Sequence, residues 1–439
     1  SLSGGEALEG LSVAGSELDS NLIIIVNDNQ QSISETHGGI YKNLKLLRDT
    51  DGKASDNFFR AIGLDYVYEK NGNDIPSLIR VFEKVKDIDH PVVVHINTLK
   101  GKGYKLAEEN KEAWHWTMPF DKETGKSKFS FPGESYVSVA RDYIMNRAKT
   151  DDRFVVVTPN MPMSMGLSPA DREELGKRFV DVGIAEEQAI AMASGIAKGG
   201  AKPLVITNMT FMQRAYDQVS HDVCINDNPV TILLNYTSFA GLTDVTHLGI
   251  FGLSIFSNIP NLQVLAPTCK KEVTEMLDRA LDERKHPVMI LLPGDEVCYD
   301  NRGFDYTREN EFATEKRGEK VAVIAAGDFY PLGEKTAELI NSELGFTPTL
   351  INPRFVSGID EVTLERLKKN HKLVITLEDG IKEGGFGQKI ASFYGDSGML
   401  VKNYGLEKKF YDRYNPDELL SYLGMTPKQI TAYVKKVLR

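Results

Sequence analysis

Three clusters of side chains in this sequence carry groups able to do chemistry. Asp181-Val-Gly-Ile-Ala-Glu-Glu-Gln-Ala ends in a carboxyl pair, Glu186 and Glu187, at the head of a small-residue stretch over residues 189–200. Acidic residues in a first helical turn favour the helix dipole, so the pair has a structural reading beside any catalytic one. Shortly downstream, Thr210-Phe-Met-Gln-Arg-Ala-Tyr-Asp-Gln sets an aromatic ring, a guanidinium and a carboxylate in one short segment. Near the start, Asn27-Asp-Asn-Gln-Gln follows directly on an apolar run over residues 22–26. Open α/β sheets bind ligands beyond the carboxyl ends of their strands, and magnesium takes oxygen ligands while bridging substrate phosphates. The same residues also make an ordinary exit turn.

Two weaker signals accompany these clusters. Lys100-Gly-Lys-Gly-Tyr-Lys, after the apolar run near Val92, reads by itself as a solvated glycine-rich turn. His247, in Thr246-His-Leu-Gly-Ile-Phe-Gly, titrates near neutrality and suits hydrogen bonding or proton donation, although a single histidine is more often a satisfied structural group.

Together the segments from Asp181 and from Thr210 resemble the pyrimidine-binding domain of thiamine diphosphate enzymes of the transketolase superfamily, and within it the 1-deoxy-D-xylulose-5-phosphate synthase family. The resemblance implies a role for each cluster. Glu186 stands at the activating glutamate, whose carboxyl bonds N1′ of the aminopyrimidine and drives the tautomer that removes the thiazolium C2 proton. Burial against an apolar wall raises such a carboxyl toward the range of general acid work. Phe211 matches the ring that stacks on the aminopyrimidine, Arg214 and Asp217 a supporting network, and His221 a structural histidine. Asn29 and the Gln31 backbone carbonyl match magnesium ligands. Their aspartate partner, in a Gly-Asp-Gly, is expected just upstream of Ser1, because residues 1–11 resemble the segment that follows that motif. This places Ser1 beside the cofactor and leads to the expectation that an N-terminal portion is missing. By the same resemblance Tyr104 contacts thiamine diphosphate, His115 in Trp114-His-Trp lines the active site, and His247 faces the substrate.

The acceptor half departs from the family. Two arginines that hold the phosphate of glyceraldehyde 3-phosphate in the synthases are replaced, one within Asn235-Tyr-Thr-Ser and one within Leu292-Pro-Gly-Asp. Bidentate arginine is a favoured phosphate partner, and each such charged contact contributes about 1.5–3 kcal/mol. A tyrosine of the family is Asn208 here, and a histidine is Gln188.

The elements that must position these groups read as alternating strands and helices, the pattern of parallel α/β sheets. A first block has strands near residues 22–26 and 92–95 with a helix over 75–85. A polar and aromatic linker covers 106–135. A second block has strands near 154–157, 203–206, 230–234 and 288–292. After a polar stretch over 300–320, a third block has strands near 321–325, 348–351, 373–377 and 399–401, and a terminal helix from about Asp417. Asn352-Pro-Arg-Phe-Val and Glu378-Asp-Gly-Ile-Lys-Glu-Gly-Gly-Phe-Gly in this block resemble the superfamily's C-terminal domain. The fold class expected is therefore α/β, a three-domain transketolase-like architecture with mainly parallel sheets. Its domains are a diphosphate-binding domain over 1–127, a pyrimidine-binding domain over 128–310 and a C-terminal α/β domain over 311–439.

Bulk properties narrow the classes further. A chain of 439 residues is too long for one core and suggests roughly three domains. Charged residues are mixed, 52 basic against 62 acidic for a net −10, without a basic cluster suited to nucleic acid. Three scattered cysteines form no disulfide framework or zinc motif, which fits a reducing, cytoplasmic setting. The longest apolar run is far short of the roughly 20 residues of a membrane span. The resemblance implies thiamine diphosphate and magnesium as cofactors, and pyruvate and an aldehyde, glyceraldehyde 3-phosphate in the family, as substrates. It also implies a homodimer and a product feeding isoprenoid and thiamine synthesis. A transketolase-like or acyloin-forming enzyme with another acceptor, and a catalytically silent binding subunit, are the alternatives.

Overall fold

The structure, a computed structural model, describes residues 2–128, 133–294 and 296–439. It divides into two compact units. The first comprises Ser1–Gly133, Pro159–Met161 and Asp181–Glu186, and the second Glu134–Thr158, Pro162–Val180 and Glu187–Arg439.

In the first unit, strands β1 (Ile23–Asp28), β2 (Asp65–Glu69) and β3 (Val92–Asn97) form a parallel sheet in the order β1-β3-β2. The valine run at Val92, Val93 and Val94 is fully buried, as suits a central parallel strand covered on both faces. Leu11, Leu47 and Phe59 pack on one face. Val81 and Val85 of the helix Ile75–Val85 pack on the other, and this helix starts where the Asp74 carboxylate accepts the Ser77 amide.

The second unit holds two sheets. Strands β4 (Phe154–Thr158), β5 (Phe179–Asp181), β6 (Lys202–Asn208), β7 (Thr231–Asn235), β8 (Gln263–Leu265) and β9 (Val288–Leu291) run in the order β5-β4-β6-β7-β9-β8. Strands β10 (Ala313–Lys316), β11 (Lys320–Ala325), β12 (Thr349–Asn352), β13 (His371–Ile381) and β14 (Leu400–Leu406) run in the order β10-β12-β11-β13-β14, parallel except for the edge strand β10. Backbone bonds join the two sheets: Ala266 donates to Arg354 at 2.8 Å and Val356 to Val264 at 2.9 Å, flanking a fully buried Phe355.

Differences from the sequence expectations have local causes. Strands β2, β5, β8 and β10 are short or polar and lack the apolar run that marks the others. The terminal helix is two helices, Pro416–Tyr422 and Pro427–Val437, because Gly424 turns left-handed at φ 71° and Thr426 begins a new capping box. The expected linker contains the helix Lys105–Glu109 and an aromatic cluster in which Trp114 lies 5.0 Å from Tyr104 and 4.6 Å from Phe120. Among the described residues no helix is long and apolar enough to cross a membrane.

Candidate active site

In the first unit the site grows from the end of β1. Asp28 is buried and bonded to His95 Nε2 at 3.0 Å and to Arg48, while His95 Nδ1 meets the Tyr66 hydroxyl at 2.7 Å. Burial pushes the Asp28 carboxyl up, but the bonds from His95 and Arg48 outweigh it and hold the group below its usual range. Asp28 is thus consumed in holding the strand end, and its other oxygen accepts the Gln30 amide at 3.1 Å. The chain then turns through a left-handed Gln30, and the Asn29 side-chain oxygen accepts the Gln31 amide at 3.0 Å. The Asn-Asp-Asn run is therefore a turn as well as a ligand candidate, since the Asn29 oxygen keeps a second lone pair. Gln31 Oε1 is buried without a partner.

Three other segments bond to the loop that follows. Lys100, in the glycine-rich motif, donates to the Ser32 carbonyl and to His115 Nδ1, the latter at 3.0 Å. An ammonium donating to Nδ1 leaves a neutral imidazole its proton on Nε2. Packing and then the Lys100 charge lower the His115 pKa, and burial lowers that of Lys100. Asn160, fully buried beyond β4, accepts the Ile33 and Ser34 amides at 3.1 and 3.0 Å. Asp181 accepts the Asn160 and Gly183 amides, each at 2.9 Å, and the Ser34 hydroxyl at 3.3 Å, and burial raises its pKa. The same segment runs on to Glu186, only 4% exposed at the head of the helix Glu186–Lys198.

The structure thus gathers Asn29, Gln31, His115 and the segment bearing Glu186 around one loop. Tyr104 is placed otherwise: its hydroxyl donates to the Lys122 carbonyl at 3.0 Å and its ring joins the aromatic cluster. Ser1 lies outside the described residues. No group of three or more His, Cys, Asp or Glu side chains suited to a metal occurs among the described residues. The donor set at Asn29 and Gln31 is neutral oxygen. It fits part of the oxygen shell of a magnesium ion that also binds a diphosphate. The sequence did not single out Asn160, whose only signal is a polar residue just past a strand.

In the second unit, β6 feeds the short helix Met209–Met212, which carries Phe211. The Phe211 and His247 rings meet edge to face, with centroids 5.4 Å apart at 72°. His247 Nδ1 lies 2.8 Å from the Thr246 hydroxyl, leaving Nε2 as its other polar atom. Arg214 pairs with Glu187 at 3.3 Å, both partly exposed. The carboxyl pair is therefore split in role, with Glu187 in an ion pair and Glu186 buried. Asp217 and His221 pair at 2.6 Å on the exposed face of their helix, where such contacts contribute little.

The segments over residues 235–238 and 292–295, where the resemblance leads one to expect phosphate-binding arginines, carry no basic residue. Asn235 is buried and donates to the Ser164 carbonyl at 2.8 Å, and Tyr236 is left-handed at φ 52°. Asp328 accepts the Gly294 amide and Asp379 the Phe239 amide, both at 2.9 Å. A cavity of about 30 Å³ there is lined by Thr237, Pro293, Asp328 and Asp379 among others, without a basic side chain among its described lining.

Residues 135–298 match the family described as the transketolase pyrimidine binding domain, residues 311–430 the transketolase C-terminal domain, and residues 1–55 and 51–98 the family described as 1-deoxy-D-xylulose-5-phosphate synthase. A 1-deoxy-D-xylulose-5-phosphate synthase of Clostridium perfringens is 36% identical over 468 residues, covering 98% of this chain and 75% of that protein. One of Clostridium beijerinckii is 34% identical over 474 residues, covering 99% and 76% respectively. Among solved structures, a split gene transketolase, described as an inactive beta4 tetramer, is similar with a TM-score of 0.60 at 21% identity, covering 69% of this chain and 98% of that one. That likeness shows a transketolase-like fold.

Proposed function

From the fact that the chain belongs to the 1-deoxy-D-xylulose-5-phosphate synthase family of thiamine diphosphate-dependent transferases, we propose that it releases carbon dioxide from pyruvate and joins the remaining two-carbon unit to glyceraldehyde 3-phosphate. The product would be 1-deoxy-D-xylulose 5-phosphate. The observation that carries this reading is the buried Glu186 on a segment bonded, through Asp181, to the loop after Asn29 and Gln31.

Thiamine diphosphate, when bound, supplies the carbanion chemistry, and the protein supplies placement and proton control. Glu186, buried at the head of its helix, would place a carboxyl against the cofactor's pyrimidine. Phe211 offers a flat apolar face to the pyrimidine, and Arg214 steadies Glu187 beside it in sequence. Asn29 and Gln31 would hold magnesium, and Lys100 would lend positive charge to the same loop. His247 and His115 would orient the carboxylate and oxygens of the substrates. A homodimer in a reducing cytoplasm, consistent with cysteines that are all free, belongs to the same proposal.

A second reading, a different acceptor aldehyde, is favoured by the carboxylates Asp328 and Asp379 where the family places arginines. One experiment tests both. The protein is saturated with thiamine diphosphate and magnesium, given pyruvate and a panel of phosphorylated and free aldehydes, and followed for carbon dioxide and ketose. Release that depends on pyruvate is expected. No release with any acceptor sinks the proposal.

A further inference from the structure

We infer that Asn160 and Asp181 form a brace that locks the loop after Asn29 and Gln31 to the segment carrying Glu186, which makes both of them positioning residues for the cofactor. The inference rests on the thiamine diphosphate reading above.

Asn160 occupies a left-handed conformation, φ 62°, that Asn and Gly tolerate better than other residues. Held there, one side-chain oxygen receives two successive loop amides, those of Ile33 and Ser34. Its own amide is received by Asp181 Oδ1, which also takes the Gly183 amide and so sets the start of the turn leading to Glu186. Asp181 Oδ2 closes the circuit through the Ser34 hydroxyl. A second strut runs alongside, since Ser3 donates to the Ile184 carbonyl at 3.3 Å and receives the Tyr41 hydroxyl at 3.3 Å. Every contact ends on backbone or on a side chain that itself holds backbone, so the circuit fixes where two segments lie and takes no direct part in chemistry. A partly buried polar network that ends on backbone atoms favours one arrangement of the segments it joins, although the Asn160 side-chain nitrogen itself is buried without a partner, and a cofactor that must reach a metal loop at one end and a carboxyl at the other needs that separation fixed in advance.

The test measures cofactor affinity by titration calorimetry with thiamine diphosphate and magnesium, alongside the melting temperature of the cofactor-free protein and kcat at saturating cofactor. Asn160→Gly keeps the left-handed backbone and removes the two acceptor contacts, and Asp181→Ala removes the other half. Each is expected to weaken cofactor binding at least tenfold, with a smaller fall in kcat once the site is saturated. Asp181→Asn keeps an acceptor for both amides and lets its amide group donate to Ser34, so it should bind within threefold of wild type. Ser34→Ala, which removes one hydroxyl contact, should weaken binding about threefold and serves if the larger cuts fail to fold. Wild-type affinity in folded Asn160→Gly and Asp181→Ala, or in Ser34→Ala if those two do not fold, overturns the brace. A wild-type protein that binds no thiamine diphosphate overturns the cofactor reading itself.

Discussion

The loop after Gln31 and the segment after Asn235 both lie just past the carboxyl end of a parallel strand, yet they are furnished in opposite ways. The first receives Lys100, Asn160 and Asp181, a cation and two amide-binding groups that fix its backbone. The second is held by carboxylates, Asp379 on the Phe239 amide and Asp328 on the Gly294 amide nearby, with no basic side chain lining the cavity among its described residues. A site that grips a diphosphate and one that would grip a phosphorylated aldehyde need the same charge sign. Only the first is furnished for it. The difference teaches that charge suited to a phosphorylated ligand gathers at the first loop and not beside the second.

The largest effect that would break this contrast concerns the cofactor half. Glu186→Gln should lower pyruvate-dependent carbon dioxide release by at least about a hundredfold, the scale of a lost general acid. Retained release in that variant would remove the basis for calling the first region the chemical one. Next, installing the missing charge by Tyr236→Arg should raise kcat/KM for glyceraldehyde 3-phosphate relative to free glyceraldehyde by about tenfold, the value of one charged hydrogen bond. If the ratio does not move, the pocket binds phosphate elsewhere. His247→Ala should reduce kcat/KM for pyruvate severalfold with a smaller effect on thiamine diphosphate affinity, because it is proposed to face the substrate while its ring only edges Phe211.

The smallest effect sharpens how the second unit uses carboxylates. Glu378 is buried and accepts the Phe386 and Gly387 amides at 2.6 and 3.0 Å. Burial lifts its carboxyl to about 8, against the pull of those amides. A carboxyl whose folded pKa exceeds its unfolded value contributes its full stability below about 4.5 and loses it as pH rises through about 8. The wild-type unfolding free energy should therefore fall across that window relative to Glu378→Gln, by at most about 1.4 kcal/mol per pH unit, and the melting temperature with it. Parallel melting curves would show that Glu378 is already ionised in the fold.

Much of this fold was legible because buried parallel strands write themselves as apolar runs, and the helix Ile75–Val85 lies where its spacing places it. Glu186, Phe211 and His247 were singled out by dense local motifs, and the structure places Phe211 against His247 and buries Glu186. What was hidden are groups whose meaning is a partner distant in sequence. Asn160 is an unremarkable polar residue until it meets Ile33 and Ser34, and Asp28 resembled a metal ligand's neighbour until His95 and Arg48 claimed it. The departures at Tyr236 and Gly294 were legible as losses, but the carboxylates that stand nearby come from segments far along the chain.

The pair of backbone bonds flanking Phe355 has a practical corollary. A chain severed near residue 310 would leave the Val264–Ala266 edge without its partner and strip Phe355 from the apolar mass around Phe304 and Leu265. Each half should melt at a lower temperature when made apart than it does in the joined chain.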